Sequence, residues 1–233
     1  MTSFHSRFSG MLFIFMALSL SPTLQAANSE FVSELFEHTR LIYEDTFDGT
    51  LNTEFWEIRQ STTWVVKDGI LTGSQSSKEF QEIMTKKGEG HEGFKPVIFL
   101  KRVPEHFVCS MRMRYNSDAI ARKPPLFDLG HHIHTLSFTE KLTTLTIKKN
   151  IQVIKVEAPI LPLNQWADVT IELKKGSILL KIDDKKHRFE SPEINMAGHQ
   201  QIDFKGIDFG SCQIDHVKLW EGLSSPAQPE SPK

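Results

Sequence analysis

Trp64-Val65-Val66-Lys67-Asp68-Gly69-Ile70-Leu71-Thr72-Gly73 is the stretch that decides the fold. Two short β-prone runs flank an Asp-Gly pair, the dipeptide that closes two-residue hairpins. Trp64 and Leu71, on either side of that turn, are expected to be largely buried. Upstream stand Thr46-Phe47-Asp48-Gly49 and Phe55-Trp56, and near the other end stands Cys212-Gln213-Ile214-Asp215-His216-Val217-Lys218-Leu219-Trp220-Glu221. Between these segments the pattern stays β. Residues 107–115, 142–148, 151–157, 167–174 and 177–182 read as strands, with Gly176 separating the last two and Asp183-Asp184 supplying a turn. Short strands at regular spacing, without helical runs between them, argue for an antiparallel sandwich. The strand near 41–47 should lie close to the one near 214–220. Residues 30–38 differ: Phe31 and Leu35, and Val32 and Phe36, are each four apart, which predicts a short helix.

The frame Phe47-Asp48-Gly49, Trp56, Trp64, Asp68-Gly69, Leu71 and Gly73, with the closing Asp215-His216-Val217-Lys218-Leu219-Trp220-Glu221-Gly222, resembles the secreted bacterial sandwich domains grouped with the 3-keto-disaccharide hydrolase family. Gln165 to Leu173 and Ile178 to Asp184 fit the same pattern, and the resemblance covers roughly 41–222. It implies an all-β, concanavalin A-like jelly-roll β-sandwich of two antiparallel sheets, preceded here by the short N-terminal helix. It also implies a carbohydrate as partner, and it speaks to fold more than to activity. Three functions are open: a secreted carbohydrate-binding domain, a glycoside hydrolase-type enzyme acting on a disaccharide or glycan, and a structural interaction protein of the cell envelope.

Residues 1–26 have the features of a secretory signal peptide. His5 and Arg7 lie ahead of an apolar run over 11–18, Pro22 ends it, and Leu24-Gln25-Ala26 offers a cleavage site. That run is about half of what a bilayer core needs, so it is not read as a span. The expectation is a secreted or periplasmic protein with a helical lead-in over 27–40, a sandwich over 41–223 and a disordered tail over 224–233, where three prolines and no large apolar side chain occur. A net charge of −2 gives no field for nucleic acid. The two cysteines, Cys109 and Cys212, permit a disulfide in an exported chain, or are two buried thiols.

Candidate site residues come from the densest polar run, Asp128-Leu129-Gly130-His131-His132-Ile133-His134. On a strand His132 and His134 share a face, and Asp128 joins them if the strand starts that early. Imidazoles so spaced can hold a transition metal with His91 as third ligand, contact a ligand as a polar cluster, or serve structure alone. Gly90-His91 and Gly130-His131 match Gly-His elements of the resembling family, which favours His91 and His131. The connections 75–96 and 116–130 are long enough to have a function. In residues 107–115, Phe107, Cys109, Met111, Met113 and Tyr115 take one face, leaving Arg112 and Arg114 on the other. Those guanidinium groups suit an acidic or sulfated glycan, or cross-strand ion pairs. Arg112 or Arg114 is expected near the histidines. No Glu-x-Asp-x-x-Glu run, zinc-protease helix motif, nucleophile elbow or phosphate loop is present, so no cofactor is required by a motif and no catalytic residue is identified.

Overall fold

A computed structural model describes residues 31–88, 90–120, 123–148, 151–196 and 200–223. The expected signal peptide and tail lie outside these residues. In chain order the elements are β1 (His38–Asp45), β2 (Trp56–Ile58), β3 (Thr63–Lys67), β4 (Ile70–Ser74), α1 (Lys78–Lys87), β5 (Val97–Lys101), β6 (Phe107–Asn116) and β7 (Leu126–Leu129). There follow β8 (His134–Phe138), β9 (Thr143–Ile147), β10 (Gln152–Val156), β11 (Ala167–Lys174), β12 (Ser177–Ile182), β13 (Lys185–Glu190), β14 (Gln201–Lys205) and β15 (Ser211–Leu223). They build two antiparallel sheets, so the jelly-roll sandwich is the observed fold. The eight-stranded sheet runs β13-β12-β11-β6-β15-β4-β3, with β1 also on β15, and the seven-stranded sheet runs β10-β9-β8-β7-β14-β5-β2.

The deciding stretch forms the β3–β4 hairpin. Asp68 (φ 52°) and Gly69 (φ 73°) are both left-handed, the geometry that a two-residue turn matching strand twist demands. Trp64 pairs with Gly73, and its ring occupies the space where a Gly73 side chain would sit: an added Cβ would come within 2.5 Å of it. The indole N–H donates to Thr62 Oγ1 (3.1 Å) and to the Val97 carbonyl (3.2 Å), which ties this hairpin to the other sheet. Along β6 the inward set Phe107, Cys109, Met111, Met113 and Tyr115 is buried, as alternation requires. β15 is long enough to change partners. Its first residues pair with β4, and after an irregularity between Asp215 and Lys218 the remainder pairs with β1, from Asp45–Val217 to His38–Leu223.

The N-terminal helix is absent from residues 31–38, which are irregular up to β1. The cause is a competing partner for their amides. The Glu172 carboxylate on β11, 2% exposed, accepts from Ser33 Oγ (2.5 Å) and from the N–H groups of Glu34 (3.1 Å) and Leu35 (2.9 Å). Adjacent Leu35 and Phe36 are both buried, and Phe36 packs over Gly222. The helix lies instead inside the connection read as a loop. Ser77 caps α1 through the Phe80 N–H, Glu79 sits in its first turn, Lys86 and Lys87 in its last, and left-handed Gly88 ends it. The second long connection, 116–130, likewise contains strand β7.

Cys109 and Cys212 are free and buried. On the paired strands β6 and β15 Cys109 lies opposite Leu219, whereas Cys212 lies opposite Tyr115. The sulfurs are thus separated by about six residues of strand, roughly 20 Å, beyond the reach of a disulfide. Burial pushes the Cys109 thiol up to about 12 and raises that of Cys212 as well, so neither is a thiolate at neutral pH.

Candidate functional site

Alternation along β7 sends Phe127 and Leu129 into the core and Asp128 outward. Its hairpin partner β8 starts at His134, which pairs with Leu129, while Thr135 pairs with Asp128. His134 therefore faces the core with Leu136 and Phe138, and does not share a face with Asp128 or His132. It is fully buried, and its Nε2 lies 2.7 Å from the Asn195 carbonyl oxygen and 3.0 Å from the Asn195 nitrogen. The proposed strand geometry fails because the chain reverses first: Gly130 (φ 78°), His131 (φ 42°) and His132 (φ 70°) are three successive left-handed residues in the connecting turn.

That turn aims both imidazoles at a carboxylate. Asp128 on β7 and Asp203 on β14 are register partners on the outer face of the seven-stranded sheet, 1% and 0% exposed. Two buried carboxylates side by side repel unless they are compensated. Lys205 lies against both: Nζ contacts Asp128 Oδ2 and is 3.7 Å from Asp203 Oδ2. His131 Nδ1 is 3.0 Å from Asp203 Oδ2, and His132 Nδ1 is 3.1 Å from Asp128 Oδ2. Thr135 Oγ1 donates to Asp128 Oδ1 (2.5 Å), and Gln201 Nε2 donates to Asp203 Oδ1 (2.6 Å). All four carboxylate oxygens are engaged. An ionised carboxylate has no proton to give, so Nδ1 must be the donor in each pair. In the neutral ring the lone pair then resides on Nε2. Partial burial lowers the His132 pKa and the Lys205 ammonium lowers it further, against the opposing pull of Asp128.

The two imidazoles, ring centroids 4.4 Å apart, line a cleft of about 360 Å³. The Phe99 ring meets His131 edge-on at 5.6 Å, and the Arg59 guanidinium lies 5.2 Å from the Phe99 centroid. His91 enters the same cleft from the loop after α1, its Nδ1 3.0 Å from Gln60 Nε2. The loop is clamped at Gly93, where a Cβ would fall 2.3 Å from Ser76 Oγ and whose carbonyl accepts from the Ser76 N–H at 2.9 Å. Gln60 (φ 55°) and His91 (φ 64°) are left-handed, as are His131 and His132. Non-glycine residues in this region carry strain of order 1–3 kcal/mol each, and such strain concentrates at functional sites.

His91, His131 and His132 line one cleft. Arg112 and Arg114 do not join them. They stand on the outer face of the eight-stranded sheet, where Arg112 pairs with Asp168 (3.6 Å) and Asp215 (3.8 Å). Arg114 donates twice to Gln213 Oε1 (2.8 and 2.5 Å), and both guanidinium groups lie over Trp166, at 5.2 and 4.9 Å. Among the described residues no three His, Cys, Asp or Glu side chains are grouped to hold a metal ion, and His134 is separated from His91 and His132 by facing the core. Asp203, Lys205, Gln60, Arg59 and Phe99 went unrecognised in the sequence. A signal for two of them was present: in Gln201-Ile202-Asp203-Phe204-Lys205 the outward positions carry an acid and a base beside two core residues.

The buried His134 makes an acid-sensitive fold. Burial lowers its pKa, so it stays neutral in the folded state while the unfolded chain takes up a proton below its ordinary value of about 6.5. The stability is complete above that pH and falls as pH drops below it, by at most about 1.4 kcal/mol per pH unit for one proton. Urea unfolding at pH 7.5 and 5.5 should show this loss, and His134→Gln, whose amide can donate to the Asn195 carbonyl or accept from its N–H without titrating, should lessen it.

The sequence matches no protein-family model, and no curated protein matches it. Solved structures do resemble the fold. One comes from work on endo-acting O-glycanases with which prominent members of the human gut microbiota initiate mucin breakdown; it is 11% identical, with TM-score 0.56, over 79% of this chain and 100% of that one. SCLam, a non-specific endo-β-1,3(4)-glucanase from family GH16, is 12% identical with TM-score 0.52, over 79% and 92%. A GlcNAcα1-4Gal-releasing endo-β-galactosidase from Clostridium perfringens is 10% identical with TM-score 0.56, over 84% and 67%. At these identities the likeness is one of fold.

Proposed function

We propose that this is an exported carbohydrate-binding β-sandwich whose glycan lies in the cleft on the seven-stranded sheet. The observation that carries the reading is the convergence of His91, His131 and His132 on one cleft, with two of them held by buried carboxylates beside the Phe99 ring. Oriented imidazoles, an amide and a guanidinium can bond hydroxyls, while an aromatic ring offers an apolar surface to a sugar face. The carbohydrate-active neighbours agree with this reading, and the 3-keto-disaccharide hydrolase resemblance is its narrower form.

A glycan array with the wild-type protein, His91→Asn and His131→Asn tests it. Asparagine tolerates left-handed backbone, so His91→Asn should leave the thermal midpoint nearly unchanged, whereas His131→Asn also loses the bond to buried Asp203 and should lower it. Loss of one oriented hydrogen bond should weaken binding about tenfold. Loss of stability with no change in binding would reduce these histidines to structure. A second reading, a glycoside hydrolase-type enzyme, is favoured by the two Asp–His pairs, in which a carboxylate orients each imidazole through Nδ1 and leaves Nε2 as the proton-accepting atom. Product analysis of any bound glycan separates the two: turnover that His132→Asn abolishes while binding persists makes it an enzyme.

A further inference from the structure

A second depression, of about 440 Å³, adjoins the cleft and shares Gln60, His91 and Lys205 with it. The loop 90–95 forms one of its walls. Lys95 and Lys123 both line the depression, and neither ammonium has a hydrogen bond or ion pair to a described residue. The third lysine there, Lys205, is occupied by Asp128 and Asp203. Two acids, Glu92 and Asp208, also line the space. Asp208 attracts Lys95 but stands outside ion-pair distance, and neither Glu92 nor Asp208 forms an ion pair with Lys95 or Lys123, so both ammonium groups remain open to a further anion. Burial lowers the Lys95 pKa, and Lys205 and Lys123 push it the same way, against Asp208 and Asp128.

A partly buried ammonium without a partner pays desolvation that no protein group offsets. Ammonium groups on the wall of a cleft are donors that carboxylates and sulfates take. We infer that the second depression is a subsite for an anionic substituent of the bound glycan, a carboxylate or a sulfate ester, with Lys95 and Lys123 as its cationic contacts. This rests on the glycan reading above and fixes the class of sugar within it. The acidic-glycan chemistry expected of Arg112 and Arg114 thereby moves to the opposite sheet, since those guanidinium groups are already engaged by Asp168, Asp215 and Gln213.

The test uses the full chain and four probes: oligogalacturonate, chondroitin sulfate oligosaccharide, neutral laminari-oligosaccharide, and inorganic sulfate followed through the lysine ε-methylene NMR signals. Wild type is compared with Lys95→Met, which keeps an apolar stem, and with Lys123→Met at an exposed position where folding is not at risk. At least one acidic oligosaccharide should bind more tightly than the neutral one and weaken as salt is raised. Each variant should lose about tenfold of that affinity, the scale of a charge-assisted contact. Uronate and sulfate arms tell which anion is preferred. Neutral and acidic glycans bound equally well, with Lys95→Met indifferent, would overturn the anionic subsite and leave the glycan reading standing. Sulfate perturbing Lys95 while no oligosaccharide binds, here or on the array, would overturn the glycan reading and the subsite with it.

Discussion

Asp128→Ala should lower the unfolding free energy by roughly 3–5 kcal/mol, the range for breaking a buried ion pair from one side. Asp128 is 1% exposed, and the substitution strands Lys205 Nζ, His132 Nδ1 and Thr135 Oγ1 together. The nearby Asp203 carboxylate, 3.7 Å from Lys205, holds the loss toward the lower end. Asp128→Leu combined with Lys205→Met should recover only part of it, because the buried Asp203 carboxylate then loses its ammonium and keeps only the His131 and Gln201 donors. Arg40→Ala gives the contrast. Its 2.5 Å pair with Glu221 is exposed, and such pairs contribute about 0–1 kcal/mol. Urea titrations of the four proteins suffice. An Asp128→Ala loss no larger than that of Arg40→Ala would mean that the polar cluster is already hydrated and holds little of the fold.

Trp56→Ala should be as costly, about 3–5 kcal/mol, through cavity formation. The side chain is 1% exposed, between Phe47 (6.0 Å) and Phe204 (6.1 Å). It also has a polar role, because its indole N–H donates to Tyr43 Oη (3.0 Å) and Asp45 Oδ2 (3.2 Å). Tyr43 hydrogen-bonds Asp45 too, and burial followed by that acid raises the phenol pKa, so the hydroxyl keeps its proton. Trp56→Phe separates the two contributions. It keeps most of the apolar volume and loses the N–H, which should cost about 1 kcal/mol. Equal losses for Phe and Ala would show that the hydrogen-bond network, rather than ring volume, makes Trp56 necessary.

Trp64, Asp68-Gly69 and Leu71 were legible because period-two patterning and turn chemistry are local. So were β11 and β12, whose ends are marked by Gly176 and Asp183. The lead-in was misread because its fate depends on Glu172, more than 130 residues away, whose carboxylate takes the amides that a helix would have used. The site was half legible. Glycine-flanked His91 and His131 point to each other in composition. The pairing of Asp128 with Asp203 is a matter of register between β7 and β14, which no local pattern reports. The face of Arg112 and Arg114 was read correctly; which sheet carried it was not, because alternation gives sides of a strand and says nothing about neighbours.

The pairing of β1 with β15, which sets His38 opposite Leu223, has a consequence for how the domain can be rewired. A glycine-serine bridge from Leu223 to a point ahead of Ser33, which keeps the lead-in on Glu172 and Phe36 on Gly222, could join the two ends. New termini could then be opened in the exposed turn at Asp183-Asp184, on a hairpin away from the cleft. Such a circular permutant would turn the strand that changes partners midway into an interior link of the chain. Its closing contacts would become local, and the long excursion that the present order imposes before β1 can meet β15 would disappear. The permutant should fold faster than the native order while keeping the same cleft.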